Sequence, residues 1–160
     1  MTEVEVTRLL SELAETAETL NRESDSINDV IERFEDKVRA LNVGIEVWVQ
    51  DPDLASSLDE EQIGEDAGGN PLMEKIWYRT QLGFGRAFDT WGLVVRRVCY
   101  TWDAGRWVLT RETHGPSPLR DVSRQLRIAA LAAFPALLKN LQREAAAAVE
   151  AIQNAKKLVR

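Results

Sequence analysis

The chain is poor in the side chains from which most catalytic and metal-binding devices are built. It has one cysteine, Cys99, and one histidine, His114. A single cysteine excludes an intramolecular disulfide and fits a reducing compartment, so a cytoplasmic protein is expected. A zinc site draws three or four ligands from Cys, His and carboxylates, and one Cys with one His does not fill it. A Ser–His–Asp or Cys–His device would have to use His114, which lies in a Thr113-His114-Gly115-Pro116 segment that reads as a loop. Cys99 reads as a small apolar residue of a central strand. Glycine-rich phosphate loops are missing too, because Gly83-Phe84-Gly85 carries nothing else of such a fingerprint. Long apolar runs are also lacking. The longest uncharged stretch of the C-terminal half, Ile128 to Leu138, falls well short of the roughly 20 residues of a membrane span. The opening residues, Met1-Thr2-Glu3-Val4-Glu5, have neither a basic nor an apolar segment, so no signal peptide is expected. Neither a cofactor nor a metal is implied.

Basic residues are absent from 43–74, which carries a net charge of −9, and 1–42 carries −6. The back half reverses this, with +4 over 75–113 and +5 over 114–160. An acidic front and a basic back can neutralise one another within one fold, or leave a basic surface for an anionic partner. Arginine outnumbers lysine and alanine is abundant, as in GC-rich bacterial coding.

The clearest element is the first. Val6, Leu10, Leu13, Ala17, Leu20, Ser24, Ile27, Ile31, Phe34, Val38 and Leu41 alternate at spacings of three and four, a heptad seam without Gly or Pro. This predicts a helix over 4–42, ended by Gly44, whose seam from Val6 to Leu41 alone spans roughly 54 Å, longer than a small sheet covers. Residues 43–113 read as a four-stranded antiparallel meander. Val43, Ile45, Val47 and Val49 alternate with Glu46, Trp48 and Gln50; Ile76, Tyr78, Leu82 and Phe84 alternate with Lys75, Trp77, Arg79 and Gln81. A bulge near Arg96-Arg97 would place Leu93, Val95, Val98 and Tyr100 on one face. Asp103-Ala104-Gly105 reads as a hairpin loop built on a type I turn. Between the first two strands, 51–70 reads as an acidic loop. It fails the EF-hand pattern, with Ala55, Ser56 and Gln62 where a ligand, Gly and Glu are needed.

Ser117 as N-cap and Pro118 at the first helical position predict a second helix over 117–159, basic and kinked at Pro135. The fold class is therefore α+β in the order α-β-β-β-β-α, a single domain over 1–160. Both helices are expected on one face of the sheet, packed antiparallel. That packing sets Glu3 and Glu5 near Lys156, Lys157 and Arg160, and sets Glu32 and Asp36 near the basic cluster Arg120, Arg124 and Arg127. These three arginines oppose the dipole of their own helix and call for such an acid or for an external anion.

Two surfaces stand out as sites. One is the second sheet face, with Trp48, Trp77, Arg79, one or other of the candidates Arg96 and Arg97, and Lys75 beside them, where rings interleaved with arginines can stabilise the sheet or stack on a ligand. The other is the cluster Arg120, Arg124 and Arg127. With 26 acids and no spacing that singles out a pair, no carboxylate device is legible. The sequence thus reads first as a non-enzymatic interaction or scaffolding module. It would be homodimeric through its heptad helices, with itself and an unidentified protein as partners and no membrane. An anionic-ligand or nucleic-acid binder on the Trp/Arg face is the alternative. The order helix, meander, helix is similar to that of small bacterial nucleoid-associated proteins, a likeness of architecture without a shared motif. A small carboxylate-based enzyme is the third reading.

Overall fold

The computed structural model describes residues 2–158. Helix α1 spans Glu3–Ala40. Its start is a capping box: Thr2 Oγ1 accepts from the Glu5 amide at 3.3 Å, and Glu5 Oε2 accepts from the Thr2 amide at 3.0 Å. Glu3 and Glu5 in the first turn and Lys37 and Arg39 in the last complement the helix dipole. Asn42 and Gly44 then take positive φ, and the chain leaves the helix. Five strands follow: β1 Val47–Trp48, β2 Ala55–Glu65, β3 Pro71–Ala87, β4 Thr90–Asp103 and β5 Arg106–Pro118. A 3-10 turn, Leu119–Asp121, leads into α2, Arg124–Leu158. The α+β class and the two terminal helices around an antiparallel sheet agree with the sequence reading; the strand count is five, not four.

The extra strand is β2, in the segment expected to be an acidic loop. It pairs with β3 from Ala55↔Thr80 to Glu65↔Pro71, and β1 pairs with the same edge of β3 at Val47↔Phe84 and Trp48↔Gly83. Every residue of β2 is exposed, so main-chain hydrogen bonds hold it rather than burial. Its carboxylates make a poor template for a further strand. The β3–β4 ladder runs unbroken from Ile76↔Thr101 to Ala87↔Thr90, and the register shifts lie on the β5 side instead. The expected bulge at Arg96-Arg97 therefore does not bring Val98 and Tyr100 onto the face of Leu93 and Val95. Both tight hairpins have two-residue loops, Phe88-Asp89 and Ala104-Gly105, with positive φ at all four residues. This is the primed geometry that matches strand twist, not the type I turn expected at Asp103-Ala104-Gly105.

Both helices lie on one face, as expected. Leu82, Phe84, Leu93 and Val95 of the sheet pack under Ile31 and Val38 of α1 and Ala130, Ala133, Phe134 and Leu137 of α2. Phe34 stacks on Phe134 with centroids 4.1 Å apart. Glu35 accepts from the Leu93 amide at 3.1 Å, and Arg39 Nε donates to the Trp91 carbonyl at 3.0 Å. Helix α1 thus covers the stretch of β4 that β5, last paired at Val94↔Pro118, leaves open. The direction of helix packing differs from the expectation. Asn21 meets Arg124 and Phe34 meets Phe134, so residue numbers rise together and the helices run in the same sense. Core packing fixes this, and among the described residues the acid–base pairs expected between antiparallel helices do not form; Arg160, one of the expected bases, lies outside those residues. Helix α2 also starts later than expected. Ser117 and Pro118 stay in the ladder opposite Val95 and Val94, and Ser123 Oγ accepts from the Leu126 amide at 3.5 Å. The helix passes unbroken through Pro135, which faces solvent while Ala133, Phe134 and Leu137 anchor the same turns in the core.

Candidate functional site

The face of the sheet turned away from the helices holds most of the expected Trp/Arg residues. Regular alternation puts Trp77, Arg79 and Gln81 of β3 beside Tyr100, Val98 and Arg96 of β4, and Trp48 of β1 joins them. The Arg79 guanidinium lies 4.4 Å from the Trp77 ring centre, and that of Arg96 lies 4.1 Å from Trp48. Both cations also have polar partners. Arg79 Nε meets Asp53 at 3.0 Å, and its terminal nitrogen donates to the Gln50 carbonyl. Arg96 Nε donates to Gln81 Oε1 at 3.1 Å, with Glu112 at 3.7 Å. Trp48 Nε1 donates to Glu46 at 2.7 Å. The Arg79 and Arg96 side chains are 12% and 18% exposed. Burial pushes the Arg96 pKa down from its ordinary value, with Glu112 opposing the shift. Trp77 extends the row through Trp107 (5.6 Å) to Trp102, members that sequence reading did not assign. Their signal was available, since Trp102 and Trp107 are equidistant from the Ala104-Gly105 turn. This face carries a half-buried row of rings in which Arg79 and Arg96 are engaged by internal partners.

Arg97 departs from that group. As the residue after Arg96 on an unbulged stretch of β4, it projects onto the helix-side face, opposite Thr80 of β3 and His114 of β5. Its guanidinium stands 4.7 Å from the centre of Tyr78. The helices cover only part of this face. Beyond them a cavity of about 460 Å³ opens, lined by Tyr78, Thr80, Arg97, His114, Val122 and Leu126 among others. His114 is not in a loop, because β5 continues through it. Tyr78 donates its hydroxyl to Glu61 at 2.5 Å, and that bond pushes its pKa up, with Arg111 pulling the other way. Cys99 is buried in β4, as expected.

The expected cluster of Arg120, Arg124 and Arg127 does not meet Glu32 and Asp36. Arg120 lies 4.0 Å from Asp121, Arg124 donates to Asn21 at 2.8 Å, and Arg127 donates to the Arg120 carbonyl at 3.3 Å. The helix direction explains this: the start of α2 faces the middle of α1, not its end.

The remaining feature is the overhang of both helices. From Glu3 to Glu23 of α1 no residue is buried, and Leu10, Leu13 and Leu20 of the seam are 60%, 62% and 44% exposed. Between Gln142 and Lys157 of α2 no residue is buried either, and Val149 and Ile152 are more than half exposed. Since the helices run in the same sense, the α1 arm extends past the start of α2 and the α2 tail extends past the end of α1. Among the described residues no group of three or more His, Cys, Asp or Glu is placed to hold a metal, and no helix is long and apolar enough to cross a membrane. Compared with known proteins, the chain matches no family model, no curated protein and no solved structure.

Proposed function

We propose that the protein is a non-enzymatic interaction module that pairs with a second copy of itself through its overhanging helices. The observation that carries this reading is the heptad seam of α1, which continues past the core onto an arm whose Leu10, Leu13 and Leu20 stay exposed among the described residues. An arm of roughly 30 Å with so many exposed leucines is marginal alone in water. Each such side chain gains about 1.5–3 kcal/mol if fully buried.

The chemistry of the arms selects the occupant. The α1 arm is acidic, with Glu3, Glu5, Glu12, Glu15, Glu18 and Glu23 against Arg8 and Arg22. The α2 tail has Arg143, Lys156 and Lys157 against Glu144 and Glu150. Two α1 arms together repel, whereas an α1 arm beside the α2 tail of a second copy attracts. A two-fold axis across the molecule forms two such antiparallel pairs and closes the assembly. In that register Leu10 faces Ile152, Leu13 faces Ala148, Glu5 meets Lys156 and Glu18 meets Arg143. The antiparallel complementarity legible in the sequence, unused within one chain, is thereby used between two. The nucleic-acid reading draws less support, because Arg79 and Arg96 already hold internal partners and the acids of β2 border the same sheet. Sedimentation equilibrium tests the proposal: the chain is expected at twice its monomer mass, and Leu10→Asp with Leu13→Asp is expected to give a folded monomer. A wild-type chain that stays monomeric at high concentration would refute it.

A further inference from the structure

We propose that the cavity between the start of α2 and the uncovered part of the sheet binds a small carboxylate with an apolar body. The floor is a row of side chains across four strands, Ala55, Thr80, Arg97 and His114, aligned by the ladder registers. The roof is apolar, from Val122 and Leu126 where the chain enters α2. The volume, about 460 Å³, lies within the roughly 300–1,000 Å³ typical of small-molecule sites. Arg97 supplies the recognition. Arg79 and Arg96 on the opposite face are bonded to carboxylates and amides, whereas among the described residues Arg97 has no carboxylate within 4.0 Å and no side-chain hydrogen bond. Its guanidinium lies over the Tyr78 ring, 4.7 Å from the centre, and both side chains line the cavity, so its N–H donors are available to a carboxylate there. The nearby carboxylate, Glu61, is turned to the Tyr78 hydroxyl. One guanidinium balances one carboxylate, and the hydroxyls of Ser57, Thr80 and Ser117, which also line the cavity, are suited to further hydrogen bonds with it.

The test is calorimetric titration of the full chain with naphthoate and with its neutral amide, naphthamide, which keeps the shape and removes the charge. Naphthoate is expected to bind about tenfold or more tightly than the amide, the scale of a lost charge-assisted hydrogen bond. Arg97→Gln is expected to weaken naphthoate by the same factor while leaving the far-ultraviolet dichroism and the mass in solution unchanged. Leu126→Trp, which narrows the cavity from its roof while keeping Arg97 in the chain, is expected to abolish binding, and wild-type affinity in it would count against the cavity as the site. Equal binding of acid and amide, wild-type affinity in Arg97→Gln, or no heat at millimolar naphthoate would each overturn the assignment.

Discussion

Gly83 on β3 gives a test of sign as well as size. Without steric conflict, replacing a strand glycine by alanine restricts the unfolded chain and stabilises by about 0.4–1 kcal/mol. At Gly83 the added Cβ would lie 2.4 and 2.7 Å from Cε3 and Cζ3 of Trp48 and 2.7 Å from the Val47 carbonyl oxygen. Real Cβ atoms do not come so close, so something must move. Trp48 is held by the Arg96 stack and by its bond to Glu46, and Val47 is held in the β1–β3 ladder. Overpacking at such a site costs about 1–3 kcal/mol, leaving a net loss of about 1–2 kcal/mol for Gly83→Ala. For a chain of this size that lowers Tm by roughly 2–8 °C. Gly64 in β2 is the control, since a Cβ there meets nothing within 4 Å and Gly64→Ala is expected to stabilise slightly. Urea unfolding at fixed protomer concentration, followed by tryptophan fluorescence and by circular dichroism, reads both variants. A Gly83→Ala protein as stable as the parent, or shifted in the same direction as Gly64→Ala, would refute the close seat of Trp48 on β3.

Two further outcomes follow from local geometry. Phe88 holds φ 50 in a two-residue turn with its side chain 88% exposed, so Phe88→Asn sacrifices no burial and is expected to raise stability by about 0.5–1 kcal/mol in the same urea assay; a loss would contradict the turn. Asp66 accepts from the Asn70 side chain at 3.0 and 3.2 Å and from the amides of Asn70 and Gly68, and these bonds, the Asn70 side chain first, hold its pKa below the ordinary aspartate value. A lowered folded value means the loop is fully supported above the ordinary aspartate range and loses that support as pH falls through the lowered one. The amide shifts of Gly68 and Asn70 are expected to report a midpoint below that of an unperturbed aspartate; an ordinary midpoint would count against the bonds.

How much was legible in the sequence depended on what holds each element. Helix α1 was legible because its seam is written in apolar residues at helical spacing, whether or not anything packs on it. Strand β2 was not, because periodicity reports burial and β2, exposed throughout, is held by its main-chain ladder to β3 and one side-chain bond, Tyr78 to Glu61. The Ser117-Pro118 signal was genuine helix-start chemistry outweighed by two more ladder positions on β5. The helix direction was misjudged because a helix that ends at the sheet and another that begins from it were expected to run back along each other, whereas both lie across the sheet and the stack of Phe34 on Phe134 sets them in the same sense. Arg96 and Arg97 illustrate the limit for sites. Adjacent in sequence, they end on opposite faces, one inside the tryptophan row and the other in the cavity. The cavity itself is assembled from four strands and a helix start, and only the registers bring those residues together.

The pairing of one protomer's α1 arm with the α2 tail of a second copy is tested most directly by cysteine cross-linking in a Cys99→Ala background. Chains carrying Glu5→Cys are mixed with chains carrying Lys156→Cys under mild oxidation. The antiparallel register predicts a disulfide-linked dimer from the mixture well above that from either chain alone. Absence of the mixed cross-link, or a stronger link between two Glu5→Cys chains, would contradict it.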